Sequence, residues 1–155
     1  RSTQAKTLFP YTTLFRSGIG ATLLLVACNG GGTPAGSDVQ NGSINNNVVN
    51  ISTVATGCLS ISANGGTCTL AVTYSAPANS NSIGQFLQLT LPANYTSNIT
   101  SQCSSGAGYI STTAKNCTIT ITSQSGASTG NAQNASIYPA NNSSSFVPFT
   151  IGGGV

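Results

Sequence analysis

The chemistry open to this chain begins with its cysteines. Cys28, Cys58, Cys68, Cys103 and Cys117 are five thiols among 155 residues, and a thiol can carry a lipid, close a disulfide, bind a metal or act as a nucleophile. The last two roles need company that is missing. The sequence has no histidine and no glutamate, and Asp38 is its one carboxylate, so paired-carboxylate hydrolysis and Ser-His-Asp catalysis lack their parts. Hydroxyls abound, but a serine without a base is a poor nucleophile. Lys115 is the remaining candidate base, and its place just before Cys117, in a turn-rich approach to a strand, reads as a solvated lysine. Structural zinc usually takes cysteine pairs two to four residues apart, which neither Cys58 with Cys68 nor Cys103 with Cys117 provides. No Cys-x-x-Cys redox motif occurs. The glycine runs at 30–32 and 152–154 lack a phosphate-loop lysine and a following helix. Catalytic residues, metal ligands and cofactors are therefore not expected, and the thiols are left with lipid and disulfide chemistry.

Cys28 differs from the other four by what precedes it. Residues 18–27, GIGATLLLVA, are too few to span a bilayer as a helix, which takes about 20 residues, but they suit the apolar region of a signal peptide. Leu25-Val26-Ala27-Cys28 resembles the lipobox of bacterial lipoproteins, where small side chains fit a narrow peptidase site and the thiol accepts a thioether-linked diacylglycerol. The resemblance implies lipidation at Cys28 and a membrane as partner through acyl chains rather than a spanning helix. It also implies a place in the bacterial cell envelope. Asn29, where a retention signal would have Asp, implies passage to an outer membrane or cell surface in a Gram-negative source. The charged start of such a signal is missing. In its place, residues 7–17, TLFPYTTLFRS, look like the conceptual translation of a sequencing adaptor, so residues 1–17 are excluded from fold reasoning and 18–27 are taken as a truncated signal peptide.

The net charge of +3 would suggest a polyanion partner if it were clustered on the fold. Arg1, Lys6 and Arg16 all precede the signal, and beyond Cys28 only Asp38 and Lys115 remain, which cancel. No nucleic-acid partner is expected. Residues 28–47 are rich in Gly, Asn and Ser without periodicity and read as a lipidated, disordered tether.

From residue 48 short apolar alternations are separated by turn residues, the pattern of an all-β fold. The expected strands are 48–53, 58–62, 67–74, 84–91, 108–112, 116–122, 135–138 and 145–151. In the third, Cys68, Leu70, Val72 and Tyr74 share one face and Thr67, Thr69, Ala71 and Thr73 the other. Cys117, Ile119 and Ile121 against Thr118, Thr120 and Thr122 repeat the design. One buried face and one uncharged hydroxyl face suit antiparallel sheets with a wet side. The shared layout of a cysteine, a loop and a Cys-Thr strand is read as two strands under the same constraints rather than as a duplication. Four cysteines in an exported segment imply disulfides. Of the three pairings, the local one, Cys58 with Cys68 and Cys103 with Cys117, has the shorter loops and the smaller closure entropy.

The stretch from Cys58 to Leu91 resembles immunoglobulin-like modules of the abnormal-spindle/hydin kind. It does so through Cys58, Gly65-Gly66, Cys68-Thr69-Leu70, Val72, Tyr74, Pro77, Gly84 and the strand from Leu87; the second cysteine unit departs, with Gln124 and Ser125 where an aromatic would fall. The resemblance implies an antiparallel immunoglobulin-like β-sandwich over 48–155, with truncation at its C-terminus left open. Such modules are spacers or binding platforms, so a noncatalytic structural, adhesion or binding role is expected, with a protein or glycan ligand of unknown identity. The alternatives are the N-terminal stalk of a larger exported enzyme, or a fibre subunit assembling by strand addition.

Overall fold

The computed structural model describes residues 38–103 and 106–153. Eight strands run through them: β1 (Val39–Asn45), β2 (Asn50–Thr56), β3 (Thr67–Ser75), β4 (Leu87–Thr90), β5 (Tyr95–Ser97), β6 (Lys115–Ser123), β7 (Gln133–Pro139) and β8 (Val147–Ile151), with one helical turn, α1 (Ile99–Gln102). They pair antiparallel into a five-stranded sheet, β1-β2-β3-β6-β5, and a three-stranded sheet, β4-β7-β8. Placing β2-β3-β6-β5 against β4-β7-β8 is the two-sheet division of a constant-type immunoglobulin domain, with β1 added at an edge. The fold is thus the antiparallel immunoglobulin-like sandwich expected, although it carries no tryptophan and no disulfide between its sheets.

The alternation in β3 and β6 explains the core. Leu70, Val72 and Tyr74 from β3 and Ile119 and Ile121 from β6 point inward and are buried. They meet Ile137 of β7 and Val147 and Ile151 of β8, also buried. Each such side chain contributes about 1.5–3 kcal/mol on burial, which matters in a core with few large aromatics. Buried hydroxyls are satisfied: Ser123 Oγ donates to Ser62 O at 2.6 Å, and Asn46 Nδ2 donates to Ser145 Oγ at 3.2 Å.

Three expectations are corrected. Val39–Asn45, expected to lie within the tether of residues 28–47, forms β1 instead. This strand has no apolar alternation in its sequence; it is held by its ladder to β2 and by close approach to β8, where a Cβ on Gly42 would lie 2.5 Å from Val147 Cγ1. Neither 58–62 nor 108–112 is a strand. Each is a loop that sends one isoleucine, Ile61 or Ile110, fully into an end of the sandwich, and periodicity over so few residues cannot separate such a plug from a short strand. The three-residue β5, absent from the expected strands, has too little pattern to be read. The other strands are shifted by a few residues at their ends, as is usual for boundaries.

Candidate interaction surfaces

Both local disulfides form. Cys58 and Cys68 are bridged with Cα atoms 5.0 Å apart, and Cys103 and Cys117 with Cα atoms 5.7 Å apart. Cys68 and Cys117 occupy inward positions of the neighbouring strands β3 and β6. Because those strands are antiparallel, with Cys68 beside Ile121 and Val72 beside Cys117, the bridges lie at opposite ends of the sandwich. With their sulfurs bonded to each other, none of these four offers a thiolate. Cys28, with the expected signal and the expected tether up to residue 37, lies outside the described residues.

The two charged residues among those described are both tied to the fold. Asp38 stands before β1 and its Oδ2 accepts from Ser60 N at 2.6 Å and Ser60 Oγ at 2.8 Å, pinning the loop that carries Cys58. Lys115, expected to be solvated, is half-buried at the start of β6; its ammonium donates to Tyr109 O at 2.7 Å and sits 3.7 Å from the Tyr109 ring centroid.

Two buried tyrosines brace the same two ends. Tyr74 donates to Gly108 O at 2.8 Å, and Tyr95 donates to Ser128 O at 2.9 Å. Burial raises the pKa of both phenols above the ordinary value of 10.0, because a phenolate would be poorly solvated there. Sequence reasoning placed Tyr74 on the core face but had no signal for either hydroxyl's partner, which comes from a distant loop.

The broad surface left to solvent is the outer face of the five-stranded sheet. Register places Thr56, Thr69 and Thr120 in one cross-strand row, Val54, Ala71 and Thr118 in the next, and Ser52, Thr73 and Asn116 in a third. Rows lie about 6.6–6.8 Å apart along a strand, and neighbours in a row about 4.7–4.9 Å apart. No charged or aromatic residue interrupts these rows, so the face offers methyls with hydroxyl donors and acceptors. It suits neutral polar partners and has nothing to hold phosphate. A second feature is a shallow groove beside β4, lined by Phe86, Leu89, Ile99, Thr100, Tyr138 and Ala140. Among the described residues no three of His, Cys, Asp and Glu are grouped to hold a metal ion. Compared with family models, curated proteins and solved structures, the chain matches none.

Proposed function

We propose that this chain is a noncatalytic module of the bacterial cell envelope, lipidated at Cys28 and displaying the sandwich outward as a structural or adhesive platform. The observation that carries the reading is the outer face of the five-stranded sheet. It is a regular hydroxyl surface without charge, on a fold whose two charged residues are both engaged in structural contacts. A platform of this kind recognises neutral polar partners, a glycan or a protein surface, through many weak hydrogen bonds and methyl contacts. The lipobox-like Leu25-Val26-Ala27-Cys28 supplies the anchor, and two or more acyl chains hold such a domain stably without a spanning helix.

Mass spectrometry of the protein extracted from membranes tests the anchor: a mature chain beginning at a diacylglyceryl-modified Cys28 is expected, and an unmodified N-terminus ahead of Cys28 overturns it. The platform is tested by binding to whole cells and glycan surfaces. Thr69→Lys and Thr118→Lys, which place cations in the middle of the face, should each reduce capture severalfold without loss of folded protein. Retained capture by both variants would move the binding elsewhere.

A further inference from the structure

A sandwich has four sheet edges, and here they are finished very differently. The outer edge of β8 is blocked along its length. Pro148 has no N–H to offer, Gln40 occupies Thr150 by donating to its carbonyl at 2.7 Å and accepting from its N–H at 2.9 Å, and Gly152 N donates to Cys58 O at 2.8 Å. β4 is four residues long and has α1 beside it, and β5 is three residues long. A strand needs more length than that to add to a sheet edge with useful affinity.

The edge of β1 has none of these devices. Gly57 N donates to Asp38 O at one end of the β1–β2 ladder and Asn46 N donates to Val49 O at the other. In the antiparallel alternation the even-numbered residues of β1 therefore bond to β2. The odd-numbered residues, Val39, Asn41, Ser43 and Asn45, turn their N–H and C=O groups outward. All four are exposed, and no described residue bonds to those groups. The seven residues carry no charge and no proline.

We propose that β1 is a docking edge for a second copy of this chain, paired antiparallel about a two-fold axis at Gly42. Register and charge select this occupant. With Gly42 facing Gly42, Asn41 stands opposite Ser43 of the second copy and Val39 opposite Asn45 of the second copy, so all four outward residues exchange both backbone groups. Asp38, the nearest charge, comes opposite Asn46 of the second copy rather than another carboxylate. A fibre would need a second, complementary edge, and the other three described edges are short or blocked; an isologous contact through β1 closes at a dimer. The pairing joins two five-stranded sheets into one and makes the hydroxyl faces continuous across the axis.

The test uses the full chain carrying Cys28→Ser, which removes lipid and stray thiol coupling, so that it reads the edge independently of the anchor. Sedimentation equilibrium from micromolar to millimolar protein should show a monomer–dimer equilibrium. Asn41→Pro removes an outward N–H from each copy without touching the β2 ladder, and Ser43→Lys places a cation on each side of the axis. Each should weaken the dimer at least about tenfold, since symmetry removes or opposes two contacts at once, while the melting temperature of the monomer stays unchanged. A strict monomer at the highest concentration, open-ended polymers, or a dimer indifferent to both substitutions would overturn the proposal. If Asn41→Pro lowers the melting temperature, Ser43→Lys decides, because its side chain lies on the exposed face.

Discussion

The two ends of the sandwich are built from the same parts and held to different degrees. Each has a disulfide from an inward position of a central strand, a loop isoleucine sunk into the core, and a buried tyrosine bonded to a loop carbonyl. At the Cys58 end the loop is also tied by backbone bonds from Gly65 N to Ser123 O and from Ser123 N to Gly66 O, by the Asp38 clamp on Ser60, and by Gly152 N on Cys58 O. At the Cys103 end, α1 is tied to β6 through Asn98, whose N–H donates to Thr120 O at 3.2 Å and whose Oδ1 accepts from Thr120 N at 2.7 Å, and the described residues beyond it are held by the bridge, by Tyr74 on Gly108 O and by Lys115 on Tyr109 O. Regular bonding resumes at Ile110, which exchanges bonds with Gly84 and Gln85. The disulfides close loops of 10 and 14 residues, which in the chain-entropy model differ by only a few tenths of a kcal/mol. The contrast between the ends therefore comes from native bonding, not from loop length. The same staple reinforces a loop bonded to three other segments at one end and a more sparsely bonded one at the other.

The largest effects should come from the plugs. Ile61→Ala and Ile110→Ala each leave a cavity at an end of the core and should cost about 2–5 kcal/mol in denaturant unfolding; the less braced Cys103 end can collapse further, so Ile110→Ala should fall lower in that range. Removing a whole bridge, as Cys58→Ser with Cys68→Ser or Cys103→Ser with Cys117→Ser, should cost about 3 kcal/mol in either case. Hydrogen exchange separates them. Loss of the second bridge should open residues 101–103 and 106–109 well below the global unfolding energy, whereas loss of the first should leave residues 57–66 protected. Equal local opening at both ends would remove the contrast.

Smaller effects test the tyrosines. Tyr74→Phe and Tyr95→Phe should each cost about 1 kcal/mol, with Tyr74→Phe alone also speeding exchange in residues 106–110. Both folded-state pKa values are raised, so the stabilisation from the neutral phenols is fully present below the ordinary pKa of about 10 and is lost as pH rises through the raised folded values. Alkaline titration of the melting temperature should fall above pH ~10, and less steeply in either phenylalanine variant. Smallest is Lys115→Ala, at about 0.5–1 kcal/mol from the Tyr109 contact, detected by a double-mutant cycle with Tyr109→Ala.

The alternation of Cys68 to Tyr74 and of Cys117 to Ile121 was legible because each residue's burial follows from strand period alone. The staples were legible because, with Cys28 set aside, four cysteines leave three pairings and the local one closes the shorter loops. What could not be read depends on partners far along the chain. Val39–Asn45 has no apolar rhythm and becomes a strand only because β2 and β8 receive it. Ile61 and Ile110 look like strand residues until the sheets they plug are in place. Lys115 looks solvated because Tyr109 reaches it through a loop with no periodic signal. Gln40 reads as tether in the sequence, because no local pattern marks a carboxamide that stands in for a peptide group.

That carboxamide has a mechanical consequence. Gln40 and Thr150 are 110 residues apart, and their paired hydrogen bonds fasten the first described strand to the last across the gap between the sheets. A pull applied at Asp38 and Gly153 meets this clasp as well as the strand ladders, so load entering the five-stranded sheet is passed to the three-stranded one before either comes apart. A domain fastened in this way transmits tension as a single body, and Gln40→Ala would let its two sheets yield one after the other.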